Sequence, residues 1–192
     1  MASSPGARKR AFDNALSLVD AERDFPQNVF RRPEQYRFLF FETEYIFVKA
    51  FVGIARAFLE VDHGEVVCLL NLWRLERNYE RTAIYIDRDM DDSTYWAALW
   101  EGTIEEQWIS SFGERFVCCS DSGTWAMYCE RSEDFSAIAI RSDDVPAFQE
   151  PLKLMRARPC KEAFDGYYSK IPTNEELTRF RLEIAKHYPG PA

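Results

Sequence analysis

The chain contains only two histidines, His63 and His187, and no G-x-S-x-G elbow. A nucleophilic Ser or Cys needs a base beside it, usually His, and a third group to orient that base. His63 falls in a turn and His187 near the C-terminus, so neither points to such an enzyme. Ser122, in Asp121-Ser122-Gly123, stands where a turn favours serine. Phosphate-binding loops of the G-x-G-x-x-G or Walker type are missing. Glycine and proline are scarce, at 8 and 9 of 192 residues, which argues against a fibrous or disordered chain. No apolar run approaches the ~18 residues needed to cross a bilayer. The start, MASSPGARKR, is polar and basic, and Asp13, Asn14 and Asp20 interrupt the segment behind it. No secretory signal is read there, residues 1–7 are expected to be a flexible tail, and a cytoplasmic location follows.

Cysteine is present but not in metal or disulfide patterns. The five are Cys68, Cys118, Cys119, Cys129 and Cys160. Their number is odd and no CxxC occurs, so buried, reduced thiols are expected. Cys118 and Cys119 are adjacent and would point to opposite faces of a strand, so they cannot share a tetrahedral site easily. The segment DRDMDD (87–92) resembles the start of a calcium loop. It lacks the glycine at the loop's sixth position and the glutamate at its twelfth, where Ala98 sits. No metal or cofactor is expected. The many carboxylates are spread over turns and surface segments and form no defined catalytic pair.

What the chain does have is aromatic bulk and unevenly placed charge. Aromatics reach 15% and hydrophobic residues 46%, enough for a single domain with a substantial core. The net charge is −8. Residues 1–85 carry 12 acids and 12 bases, residues 86–150 carry 15 and 4, and residues 151–192 carry 5 and 8. An acidic middle repels phosphate backbones, so nucleic acid is not an expected partner, and nor is a membrane. It attracts a basic protein instead and speeds encounter with it.

Periodicity predicts a helix over 8–22, a strand over 36–41 and a long, largely buried helix from Thr43 to Leu59 ended by His63-Gly64. Strands follow over 65–73 and 81–88, then a short helix capped by Asp92 or Ser93, and a second short helix begun by a capping box at Thr103-Glu106. Three strands joined by Asp121-Ser122-Gly123 and Ser132-Glu133-Asp134 make a β-meander over 114–141. In its middle strand, alternation puts Trp125, Met127 and Cys129 on one face and Ala126, Tyr128 and Glu130 on the other. Residues 149–159 read as irregular or a short strand. A last helix starts at the Thr173-Glu176 capping box. The order implies α+β: one domain (1–192), an antiparallel or mixed sheet, and a meander packed on a long central helix with flanking helices.

The most informative surface signal is 87–108, where acids interleave with tryptophans. Trp dominates interface centres and acids complement a basic partner. The expected partner-binding set is Asp89, Asp91, Asp92, Trp96, Trp100, Glu101, Glu105 and Glu106, with Asp121, Glu130, Glu133 and Asp134 from the meander. The competing reading is that Trp96, Leu99, Trp100 and Trp108 anchor two short helices to the sheet.

The pattern Ser120, Asp121, Gly123, Trp125, Tyr128, Glu130, Arg131, followed by an A-I-A-I strand and preceded by STYWAALWEG, resembles a hairpin of small bacterial proteins encoded beside polymorphic or contact-dependent toxins, the immunity proteins. The similarity spans residues 92–141. It implies a non-enzymatic cytosolic inhibitor that binds a toxin and occludes it. The group has no common active site, so no functional residue carries over. Two alternatives stay open: an enzyme or small-molecule binder with a pocket between helix 43–59 and the sheet, lined by Tyr45, Cys68 or Tyr128, and an acidic scaffold or regulatory module. The sequence defines no oligomeric state.

Overall fold

The computed structural model describes residues 3–72, 83–100, 114–167 and 175–188. The fold is α+β, built on a six-stranded, fully antiparallel sheet in the order β1-β6-β5-β4-β2-β3. The strands are β1 (Tyr36–Glu42), β2 (Val66–Asn71), β3 (Ala83–Asp87), β4 (Arg115–Ser120), β5 (Trp125–Glu130) and β6 (Phe135–Arg141). The meander β4-β5-β6 forms the centre. An antiparallel sheet often leaves one face to water. Here β2 and β5 are buried at every position, because helices cover both faces.

Alternation assigns the side chains to the two layers. On one face Cys68, Val117, Cys119, Ala126, Tyr128, Ala137 and Ala139 meet α1 (Pro5–Leu18), α5 (Cys160–Tyr167) and α6 (Glu175–His187). On the other, Leu69, Phe116, Cys118, Trp125, Met127 and Ile138 meet α2 (Phe51–Asp62), α3 (Asp92–Trp100) and α4 (Gln149–Leu154). Phe58 packs on Trp125 with ring centroids 4.6 Å apart, and both side chains are 0% exposed. Burying a side chain of that size contributes roughly 1.5–3 kcal/mol.

Several elements differ from the sequence expectation. The first helix begins at Pro5 and ends at Leu18, not over 8–22. Ser4 caps it by accepting from the Ala7 amide, and Ala7 is buried, so residues 3–7 are not a free tail. Val19 leaves the helix to bridge Phe30. The helix expected from Thr43 is split. Residues Thr43–Phe47 form a 3-10 turn, and the α-helix starts at Phe51 and runs to Asp62. Thr43 does not cap it: its hydroxyl meets Ser136 Oγ at 2.7 Å and donates to the Glu130 carbonyl. His63, at φ 57, ends α2 as expected. The segment read as irregular is helical because Phe148, Leu152 and Met155 share a buried stripe in the α2-side core, and Arg158 behind it bridges Phe40 of the sheet. The expected helix over residues 103–111 and the residues Thr173 and Asn174 lie outside the described residues. Among the described residues no helix is long and apolar enough to cross a membrane.

Candidate functional site

The expected acids do not form one face. Strand register decides this. Val66 pairs with Asp87 and Val67 with Ser120, so the β3 end and the β4–β5 turn share one end of the sheet. Glu130 pairs with Phe135, which puts Glu133 and Asp134 at the other end. Five steps along β5 separate the two ends by about 17 Å at a strand rise of ~3.4 Å.

Two of the expected partner-binding acids are turned inward. Asp121, whose side chain is 7% exposed, accepts from the amides of Glu65 (2.8 Å) and Val66 (3.2 Å) and pairs with Arg10 at 2.8 Å. Glu130 is buried and accepts from the Phe25 amide (3.0 Å) and the Tyr128 hydroxyl (2.9 Å). Burial pushes the Glu130 carboxyl above its usual range, against the pull of those two hydrogen bonds. Neither side chain is placed to meet a partner. Local pattern hid this, because Arg10, Glu65 and Val66 lie far from Asp121 in the chain and Phe25 lies far from Glu130.

The serine-rich turn is a structural lock. Asp62, at the end of α2, accepts at one oxygen from Ser120 Oγ, Ser122 Oγ (2.7 Å) and Trp125 Nε1 (2.8 Å), and at the other from the Gly64 amide (2.8 Å). Asn14 on α1 donates to the Ser120 and Asp121 carbonyls and lies against Gly123. Gly123 adopts φ +69, and a Cβ there would come within 2.9 Å of the Asn14 amide nitrogen. Glycine is therefore required on both counts. Ser120 is 0% exposed, so no substrate reaches it. Asp62 carried little local sequence signal, since apart from the Gly64 amide its partners lie 58 to 63 residues ahead.

The cysteines are free and buried. Burial raises the thiols of Cys118 and Cys119 well above their ordinary value, that of Cys129 to about 12 and that of Cys160 to about 11. Such thiols are poor nucleophiles. Among the described residues no group of three or more His, Cys, Asp or Glu is arranged to hold a metal ion. The pocket considered between the 43–59 segment and the sheet does not take the expected form. Cys68 and Tyr128 belong to the opposite layer from α2, and Phe51, Phe58, Phe116 and Met127 fill the α2 side, all 0% exposed. Tyr45 instead lines a small cavity of about 150 Å³ with Glu42, Arg156 and Arg158.

The β3–α3 corner turns acids outward. Asp87, the last residue of β3, organises it. One oxygen accepts from the amides of Asp89 (3.1 Å) and Met90 (3.0 Å), the other from the amide and hydroxyl of Ser3. Burial works to raise this carboxyl, but the four hydrogen bonds outweigh it and hold it below its usual range. The cap of α3 is Asp91, not Asp92 or Ser93: Asp91 accepts from the Thr94 amide at 2.7 Å. Hydrogen bonds from the Thr94 amide and hydroxyl lower its carboxyl. Asp89, Asp91 and Asp92 are all exposed.

Below them α3 is anchored by Tyr95, 0% exposed and donating to the Ile46 carbonyl, and by Leu99, also 0% exposed. That anchoring leaves Trp96 and Trp100 on the flank, both half-buried, with ring centroids 5.5 Å apart. Lys49 Nζ lies 5.5 Å from the Trp96 ring centre. Trp100 packs against the core on the α2 side, as the anchoring reading expects, whereas Trp96 stays half-buried on the flank. Glu101, Glu105, Glu106 and Trp108 lie outside the described residues. At the far end, Glu133 is exposed, and the carboxyls of Glu133 and Asp134 are raised, first by burial and then by neighbouring acids.

Compared with protein-family models, curated proteins and solved structures, the chain matches none of them.

Proposed function

We propose that this protein is a protein-binding inhibitor, of the immunity type, that occludes a basic toxin domain with its β3–α3 corner. One observation carries the reading: exposed Asp89 and Asp92 stand at the N-terminal end of α3, and the half-buried Trp96–Trp100 pair lies farther along the same helix. Aromatic rings with an apolar flank give contact energy at low entropy cost, and outward acids steer a basic partner. The hairpin resemblance over 92–141 supplies the finer identity of that partner, a cognate toxin made in the same cell. Residues Glu133 and Asp134 belong to a different surface and are not part of this contact. The test is co-expression with the product of the adjacent gene. Wild type rescues growth, and the Asp89→Lys/Asp92→Lys variant loses rescue while keeping its thermal midpoint. Rescue by that variant at wild-type strength would remove the corner from the contact, and absence of rescue by wild type would remove the toxin reading.

A further inference from the structure

At the opposite edge of the sheet, arginines gather. A cleft of about 520 Å³ opens where the C-terminus of α1 meets the start of β1 and the end of β6. Arg31, Arg32 and Arg141 line it, with Tyr36, Gln35 and Leu18. Tyr36 and Arg141 are directly cross-strand, so their side chains share a face. Arg31 is held in place by Asp20, 3.5 Å from its guanidinium, and by the Val19 carbonyl. Arg32 and Arg141 have no carboxylate within ion-pair distance among the described residues, and both are exposed.

Arg32 adopts φ 55 and ψ 53, a left-handed conformation that favours Gly or Asn. A non-glycine residue held there costs on the order of 1 kcal/mol. Burial raises the Tyr36 phenol, while Arg141 and Arg32 pull it down and Glu34 pushes it up, so both guanidiniums act at that hydroxyl. Tyr36 therefore stays a neutral O–H donor at neutral pH. Three guanidiniums and a phenol donor converge on one space in a chain of net charge −8.

We propose that this cleft binds a small phosphorylated molecule, its phosphate gripped between Arg32 and Arg141 with Arg31 behind. Guanidinium forks match phosphate oxygens in paired hydrogen bonds, and a phosphate dianion neutralises two of them. The cleft is larger than a lone phosphate requires, and Leu18 and the Tyr36 ring offer a partly apolar wall for an organic body. This site lies at the far edge from the β3–α3 corner and does not depend on the inhibitor reading.

The test is an NMR titration of the full chain with inorganic phosphate, then pyrophosphate, at fixed ionic strength. Saturable binding is expected, centred on Tyr36 and Arg141 resonances and tighter for pyrophosphate. Arg32→Asn, which suits the left-handed backbone, and Arg141→Gln each weaken it at least 10-fold without moving the thermal midpoint. Arg37→Gln removes the same charge from the opposite face of β1 and leaves binding unchanged. The proposal is overturned if neither anion saturates, if Arg37→Gln weakens binding as much as the cleft variants do, or if only a single-stranded oligonucleotide binds.

Discussion

At one end of the sheet, the β4–β5 turn and the β3–α3 corner are built from similar residues. In the turn, Asp121 and the Asp62 that faces the serines accept seven hydrogen bonds. These bonds tie α1, α2 and β2 to the meander. In the corner, Asp87 accepts from Asp89, Met90 and the distant Ser3, and Asp91 from Thr94, while the side chains of Asp89 and Asp92 are exposed. The difference lies in what surrounds each turn. Helix α1 supplies the donors Arg10 and Asn14 to the first and α2 supplies the acceptor Asp62, whereas the second sits at the last described strand of the sheet and takes one donor from α2, Arg56, at the Met90 carbonyl. Acidity alone does not mark a docking surface; the direction in which each carboxylate is committed does.

The largest effect is expected at Asp62. Asp62→Ala leaves Ser120, the Gly64 amide and the Trp125 indole without their acceptor. A loss of about 3 kcal/mol in urea unfolding is expected, since stranded buried donors cost ~1–3 kcal/mol each and neighbouring losses are not additive. A loss under about 0.5 kcal/mol, the level of an ordinary surface change, would mean that the turn is not a lock. Next in size is Glu130→Ala, which strands the Phe25 amide and the Tyr128 hydroxyl and costs about 2 kcal/mol. By contrast, Asp89→Lys with Asp92→Lys shifts stability by less than about 0.5 kcal/mol, because both side chains are exposed.

The two kinds of buried acid also differ in pH response. The Asp87 carboxyl is lowered in the folded state. Its contribution is present above the unfolded value of about 3.9 and is lost as pH falls through the folded value. The Glu130 carboxyl is raised. The folded state then holds the proton more tightly, so its contribution is full below about 4.3 and is lost as pH rises through the folded value. Glu130→Gln should therefore flatten the stability profile on the alkaline side of about pH 4.3, measured as thermal midpoint against pH. Asp87→Asn should remove part of the acid-side loss and leave the alkaline side alone. The smallest effect is expected for Glu133→Lys. It is exposed at the far end of the sheet, and it should change neither the midpoint nor partner association.

Much of this fold was legible in local pattern. The alternation in TWAMYCE placed Trp125, Met127 and Cys129 in one layer and Ala126 and Tyr128 in the other, as observed. The meander and its two turns followed from turn chemistry. The long-range commitments were not legible. Asp121 pairs with Arg10, and Glu130 meets Phe25, across more than a hundred residues. Thr43 looked like a cap until Ser136 took its hydroxyl. Ser4 and Pro5 sat in a stretch polar enough to pass for a tail, yet they start α1. The arginine cleft joins Arg31 and Arg32, from a segment of zero net charge, to Arg141 from the most acidic one, so charge counted along the chain concealed it.

The central claim is that the β3–α3 corner steers and holds a basic protein partner. Its most direct test is the association rate constant with the adjacent gene's product, for wild type and for Asp89→Lys/Asp92→Lys, at low and high salt. Association of the reversed protein should be at least 10-fold slower at low salt, with the gap closing as salt screens the charges. Equal rates for the two proteins at every salt concentration would contradict it.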